Sequence, residues 1–127
     1  MQGTYQDVAK CRLSPHEAQS RLKVCIASMA PFVGGAEVAA ERLALGLKEL
    51  GHEVLLVAGT QGAVRERWEK MGLRSLYSPM CFTDKWHWWR YFKSRNGLRR
   101  LLSQERPDVI HSNDLPTHQI VADAARG

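Results

Sequence analysis

Apolar positions fall into alternating blocks with two different periods. Residues 22–29, LKVCIASM, form a short apolar run that Ala30-Pro31-Phe32-Val33-Gly34-Gly35 interrupts, so the pattern predicts a buried strand feeding a glycine turn. From Ala36 the spacing becomes helical: Ala36, Ala39, Ala40, Leu43, Leu47 and Leu50 fall on one face, with Glu37, Arg42, Lys48 and Glu49 largely off it. Gly51 stands where such a helix takes its C-terminal cap. Gly46, inside the helix, costs about 1 kcal/mol relative to alanine, which points to a close contact with a neighbouring element. Val54-Leu55-Leu56-Val57-Ala58 is then a continuous apolar run bounded by Gly59, as in a strand covered on both faces of a parallel sheet.

A weaker second unit follows, with a short helix over 63–71, a third strand over 73–77 and a loop over 78–84. Residues 86–104 read as a long helix, 109–111 as a fourth strand, and Pro116 as the opening of a last helix. The fold class expected is α/β: a Rossmann-like parallel sheet with helices on both faces, strand order 3-2-1-4, and an incomplete far edge after about four β/α units. A right-handed crossover places the Gly34-Gly35 turn at the carboxyl edge of the first strand, where open α/β sheets bind ligands. Residues 1–20 lack periodicity and read as a flexible tail; the remaining residues, 21–127, make one domain, since 127 residues are too few for two.

A glycine turn between strand and helix brings backbone N–H groups near a phosphate, with the helix dipole favouring the anion; the plainer reading is a tight turn only. The turn reads P-F-V-G-G-A-E, not G-x-G-x-x-G, and the second strand ends in Val57-Ala58-Gly59 without an acidic residue for a ribose. Dinucleotide binding is therefore disfavoured, and with no G-K-[ST] after the glycines a P-loop is absent. Cys11, Cys25 and Cys81 form no C-x-x-C pair and have no histidine at metal-ligand spacing, so reduced, non-catalytic thiols are expected, with no metal. Cys25, within a strand, reads as a small hydrophobe. No apolar run approaches the roughly 20 residues of a membrane span, and the N-terminus has no signal-like stretch; a cytoplasmic protein is expected.

The stretch KVCIASMAPFVGGAEVAAERLALGLKELGHEVLLVAG resembles the opening of glycosyltransferase family 4, retaining sugar transferases with two facing Rossmann-like domains (the GT-B fold). Pro31 to Glu37, with Gly34-Gly35-Ala36-Glu37, and Gly51-His52-Glu53-Val54 carry the likeness, and Arg106-Pro107-Asp108-Val109-Ile110-His111 resembles the same family's fourth strand. The resemblance implies that residues 21–127 are the truncated, acceptor-side N-terminal domain of an enzyme passing a hexosyl group from a nucleoside-diphosphate sugar to a carbohydrate or lipid-linked acceptor, with retention. It implies that Gly34 and Gly35 approach the donor's diphosphate or sugar, and that His111, Asn113 and Asp114 lie near the acceptor or transferred sugar. The donor-holding C-terminal domain with its paired glutamates has no counterpart here, so the chain alone is expected not to turn over, its catalytic residues unassigned. No cofactor is called for beyond the donor substrate.

Read by themselves, His111 fits a strand-end residue, Asp114 a helix cap or a ligand, His118 a surface position and Glu37 a charge favouring the helix N-terminus. A non-enzymatic sugar- or phosphate-binding module is the alternative from another class.

The formal charge of +5 is concentrated: Lys85, Arg90, Lys93, Arg95, Arg99 and Arg100 carry six positive charges with no acidic residue between them, leaving the rest at −1. Three of the four tryptophans, Trp86, Trp88 and Trp89, stand in the same segment. A core helix would turn Trp88, Tyr91, Phe92, Leu98, Leu101 and Leu102 inward. Contact with an anionic membrane would instead use Lys85, Trp86, Trp88, Trp89, Arg90 and Lys93, making the protein peripheral to the bilayer. Nucleic acid ranks below both, because no RRM, KH or zinc-finger pattern is present.

Overall fold

The computed structural model describes residues 21–83 and 85–126, and the N-terminal tail and Cys11 lie outside them. Four strands, β1 (Lys23–Ser28), β2 (Glu53–Ala58), β3 (Ser75–Tyr77) and β4 (Val109–Ser112), alternate with helices α1 (Gly35–Glu49), α2 (Ala63–Lys70), α3 (Trp88–Glu105) and α4 (Leu115–Ala125). All pairings are parallel and the order is β3-β2-β1-β4, as the βαβ pattern requires. Lys23 stands opposite Glu53 and Ser28 opposite Ala58, so the two central strands are in register over their full length.

Alternation along the strands divides the core. Val24 and Ile26 of β1, with Leu56 and Ala58 of β2, meet Ala40 and Ala44 of α1 and Val64 and Trp68 of α2. Cys25, Ala27, Leu55 and Val57 point the other way, onto Tyr91, Leu98 and Leu102 of α3 and Ile120, Val121 and Ala124 of α4. Burial of this second set pushes the Cys25 thiol up to about 12, consistent with a side chain that serves packing.

Two details of α1 differ from the pattern. Its buried face is Glu37, Ala40, Glu41 and Ala44, whereas Ala36, Ala39, Leu43 and Leu50 are exposed, so the helix is turned by about one residue, roughly 100°, from the large apolar stripe. Small alanines let the helix approach the sheet, and the two inward carboxylates find partners: Arg67 donates to Glu41 across to α2, and Glu37 bonds the glycine loop. Gly46 packs against nothing, since a Cβ there would meet no atom within 4 Å. Gly51 does close the helix, at φ +92, with His52 N–H donating to Leu47 O and Gly51 N–H to Lys48 O, the paired bonds of a Schellman motif.

In α3 the inward positions are Tyr91, Leu98 and Leu102. Trp88 and Phe92 do not join them: their relative exposures are 59% and 41%, and Trp86 and Trp89 are exposed as well. Within the first turn of α3 only Tyr91 reaches the core that lines this face of the sheet.

Candidate functional site

All four strands end on one edge, and their loops are tied together there. Gly59 N–H donates to Ser28 O at 2.7 Å, and Met80 N–H to Gly59 O at 3.2 Å. A Cβ on Gly59 would stand 2.8 Å from Met80 Cβ and 2.9 Å from Met29 Cα, so only glycine lets the three loops cross this closely. Thr60 Oγ1 donates to Ala30 O, and the buried Thr117 Oγ1 accepts from Met29 N–H at 3.1 Å, fixing the loop after β1 from both sides.

The glycine turn is held from within. Glu37, 4% exposed, accepts from Gly34 N–H through Oε2 at 2.9 Å and from Ser28 Oγ through Oε1 at 3.4 Å; Ser28 Oγ in turn accepts from Ala30 N–H. Glu37 thus does more than complement the helix dipole: it is the inward anchor of the turn, a role that its polar identity concealed in the sequence. Gly34 is the N-cap residue in an extended conformation, and Gly35 opens α1. A Cβ at Gly34 would reach 3.1 Å from Glu37 Oε2, whereas at Gly35 it would meet nothing within 4 Å. Gly35 thus adds no bulk at the start of α1, and among the described residues the space its side chain would take is open.

β4 lies beside β1, with His111 opposite Ile26, and delivers the second cluster to the same edge. His111 is exposed at the strand end. Asn113 N–H donates to Ala27 O at 2.9 Å, while Asn113 Nδ2 is buried without a partner among the described residues. Asp114 is the N-cap of α4, its Oδ1 accepting from Thr117 N–H at 2.8 Å. Ser112 Oγ and His118 Nδ1 form a hydrogen bond of 2.8 Å across this cap. His118 is exposed, as its position suggested, but its tie to Ser112 spans a strand-to-helix corner and had no signal in sequence spacing.

The edge therefore joins Gly34 and Gly35, in the turn after β1, to His111, Asn113 and Asp114 at and after the end of the adjacent β4, with α1 and α4 both starting there. Dipoles from two helices favour negative charge at this edge. Lys85, Trp86, Trp88, Trp89, Arg90 and Lys93 lie at and beyond the start of α3, which leaves the same edge from the β3 side.

A parallel sheet with a glycine turn and two helix N-termini converging on its carboxyl edge defines a Rossmann-like α/β domain of the kind that makes up half of a GT-B glycosyltransferase. The sequence model of Glycosyltransferase Family 4 matches residues 33–127, and the chain belongs to that family. Among solved structures, it is similar to a glycosyltransferase from Rickettsia africae (TM-score 0.70, 14% identity, 84% of this chain and 27% of that one). It is also similar to HepE from Anabaena, solved in complex with UDP and glucose (TM-score 0.65, 15% identity, 84% and 27%), and to MurG from Acinetobacter baumannii (TM-score 0.65, 15% identity, 84% and 32%). The chain thus spans about a quarter to a third of the solved structures that it matches. No curated protein matches it.

Proposed function

We propose that residues 21–127 form the front of the acceptor-side domain of a glycosyltransferase that moves a hexosyl group from a nucleoside-diphosphate sugar to an acceptor, with retention at the anomeric carbon. The observation that carries this reading is the space at Gly35, at the start of the helix: the family match begins just before it, at Val33, and among the described residues a Cβ there would meet no atom within 4 Å. With the Gly34 N–H already taken by Glu37, which fixes the turn, the N–H groups that follow it in the first turn of α1 suit a departing diphosphate, because preorganised donors stabilise its growing charge without having to reorganise. The solved complex of HepE with UDP-glucose supports a nucleotide sugar as the donor class. Polar groups at His111, Asn113 and Asp114 then stand towards the sugar or the acceptor.

In this reading the donor base, and the groups that complete the catalytic site, are held by a second domain outside these residues, so turnover belongs to the enzyme in which the chain is embedded. The test is release of nucleoside diphosphate from a panel of nucleotide sugars by the full-length protein, with the product anomer read by NMR. Gly35→Val, which plants a branched side chain over the helix N-terminus, should lower kcat/KM by about a hundredfold, the scale of losing one backbone donor. Nucleotide release unchanged by that substitution, or no release with any donor, overturns the assignment.

A further inference from the structure

The tryptophans at the start of α3 are neither core residues nor part of the glycine-turn site, and their setting is specific. Trp86 and Phe82 are 77% and 64% exposed, and Trp88, Trp89 and Phe92 follow as a ridge. Edge-to-face contacts hold that ridge, with ring centroids 6.4 Å apart for Trp88 and Trp89 and 5.8 Å for Trp88 and Phe92.

A cationic groove runs along each side. One, of about 480 Å³, is bounded by Arg90, Lys93, Ser94 and Met80. The other, of about 360 Å³, is bounded by Trp88, Phe92, Arg95, Arg99, Arg126 and Asp123. Among the described residues, none of Arg90, Lys93, Arg95, Arg99 and Arg126 forms a salt bridge. The acid of the second groove, Asp123, already accepts from Tyr91 Oη. Arg95 lies 4.6 Å over the Phe92 ring, and its Nε is buried with no acceptor. Arg99 spends two donors on the carbonyls of Asp123 and Ala124, which fixes its guanidinium at the groove wall.

From this arrangement we infer that the ridge and its two grooves are a docking surface for an anionic lipid bilayer, the indoles entering the headgroup boundary and the arginines taking lipid phosphates. Indole rings favour that boundary because one edge is apolar and the other carries an N–H for water or a headgroup. Basic side chains beside them are drawn to the negative surface potential, each worth about fivefold in affinity. Their exposure sets these rings outside the core of the described residues. A single-stranded nucleic acid would also use aromatic and basic groups, but Trp88 stands edge to face with Trp89 and Phe92 instead of side by side with them as a platform for successive bases, and RNA is the competing arm of the test. The surface lies at the end of the sheet where the glycine turn opens, so a protein seated on it presents that edge near the bilayer. This inference stands apart from the transfer reading and does not need it.

The experiment is co-sedimentation of the protein with vesicles of phosphatidylcholine alone and of phosphatidylcholine mixed with equal phosphatidylglycerol, alongside binding to single-stranded RNA. Binding to the anionic vesicles should exceed binding to the neutral ones by about a hundredfold and should fall with salt. Tryptophan emission should shift to the blue and be quenched by brominated lipid, which needs no variant. Arg90→Glu with Lys93→Glu, and separately Trp88→Ala with Trp89→Ala, should each weaken binding about tenfold or more with circular dichroism unchanged, since all four side chains are exposed. Equal affinity for neutral vesicles, absence of quenching, tighter binding to RNA than to anionic vesicles, or double variants that bind as the parent does would each overturn it.

Discussion

Glu37 Oε2 accepts the backbone N–H of Gly34 at 2.9 Å from a position that is almost completely buried. The acidic residue three places into the helix reaches back to the N-cap backbone, as in a capping box, but the N-cap is glycine and has no side chain to return the bond. Ser28, on the last position of β1, fills the second carboxylate oxygen, so one side chain joins strand end, turn and helix start.

Replacing Glu37 by alanine leaves the buried Ser28 hydroxyl without its acceptor and the half-buried Gly34 N–H unpaired, and a buried unsatisfied donor costs about 1–3 kcal/mol. Glu37→Ala should therefore lower the urea midpoint by an amount equal to about 2 kcal/mol or more. Glu37→Gln keeps an acceptor for Gly34 and should lose less than half as much. Amide hydrogen exchange at residues 30–35 should quicken in the alanine variant and stay near the parent in the glutamine one. Equal midpoints for parent and alanine variant would show that the carboxylate does not hold the turn.

Two glycines that look alike in sequence should respond in opposite directions. Gly46 sits in α1 with open space where a Cβ would go and a φ in the ordinary range, so Gly46→Ala should stabilise the protein by about 0.5–1 kcal/mol through reduced freedom of the unfolded chain. Gly59→Ala forces a methyl within 3 Å of Met29 and Met80, including backbone that has no room to retreat, and should cost about 2 kcal/mol or more. Thermal melts of the two variants decide the matter. A destabilised Gly46→Ala would mean that a neighbour crowds that position after all.

The elements and their order were readable because each depends on local period: the uninterrupted apolar run of β2, the switch to helical spacing at Ala36 and the stop at Gly51 all have near-neighbour causes. The orientation of α1 was not readable, because Glu37 and Glu41 turn inward to partners on Gly34, Ser28 and Arg67 that only the folded chain supplies. The same limit applies at the candidate site. Gly34 and Gly35 announce themselves by type, whereas the bond between Ser112 and His118 and the close crossing at Gly59 arise from loops brought together by strand pairing. Trp88 and Phe92 fit an inward face by spacing, yet both are exposed in the folded chain.

Far from the glycine turn, at the opposite edge of the sheet, Glu105 closes α3 onto the starts of β1 and β3. Arg74 bonds both of its oxygens, at 2.9 and 2.8 Å, and Lys23 Nζ adds a third bond at 2.8 Å. The Arg74 hydrogen bonds, followed by that from Lys23, hold the Glu105 carboxyl down to about 2 from an ordinary 4.5. A carboxylate whose folded pKa is depressed contributes stability in full above its unfolded value and loses it as pH falls towards the folded one. The contribution should therefore be constant above about pH 5 and fade between roughly pH 4.5 and 2. Arg74 is half exposed, so solvent screens the pair and the contribution is about 1 kcal/mol. Glu105→Gln should lower the urea midpoint at pH 7 and converge with the parent near pH 2, with the difference at pH 7 shrinking when Arg74→Met is already present. A gap between parent and glutamine variant that is the same at pH 7 and at pH 2.5 would remove Glu105 ionisation as the cause.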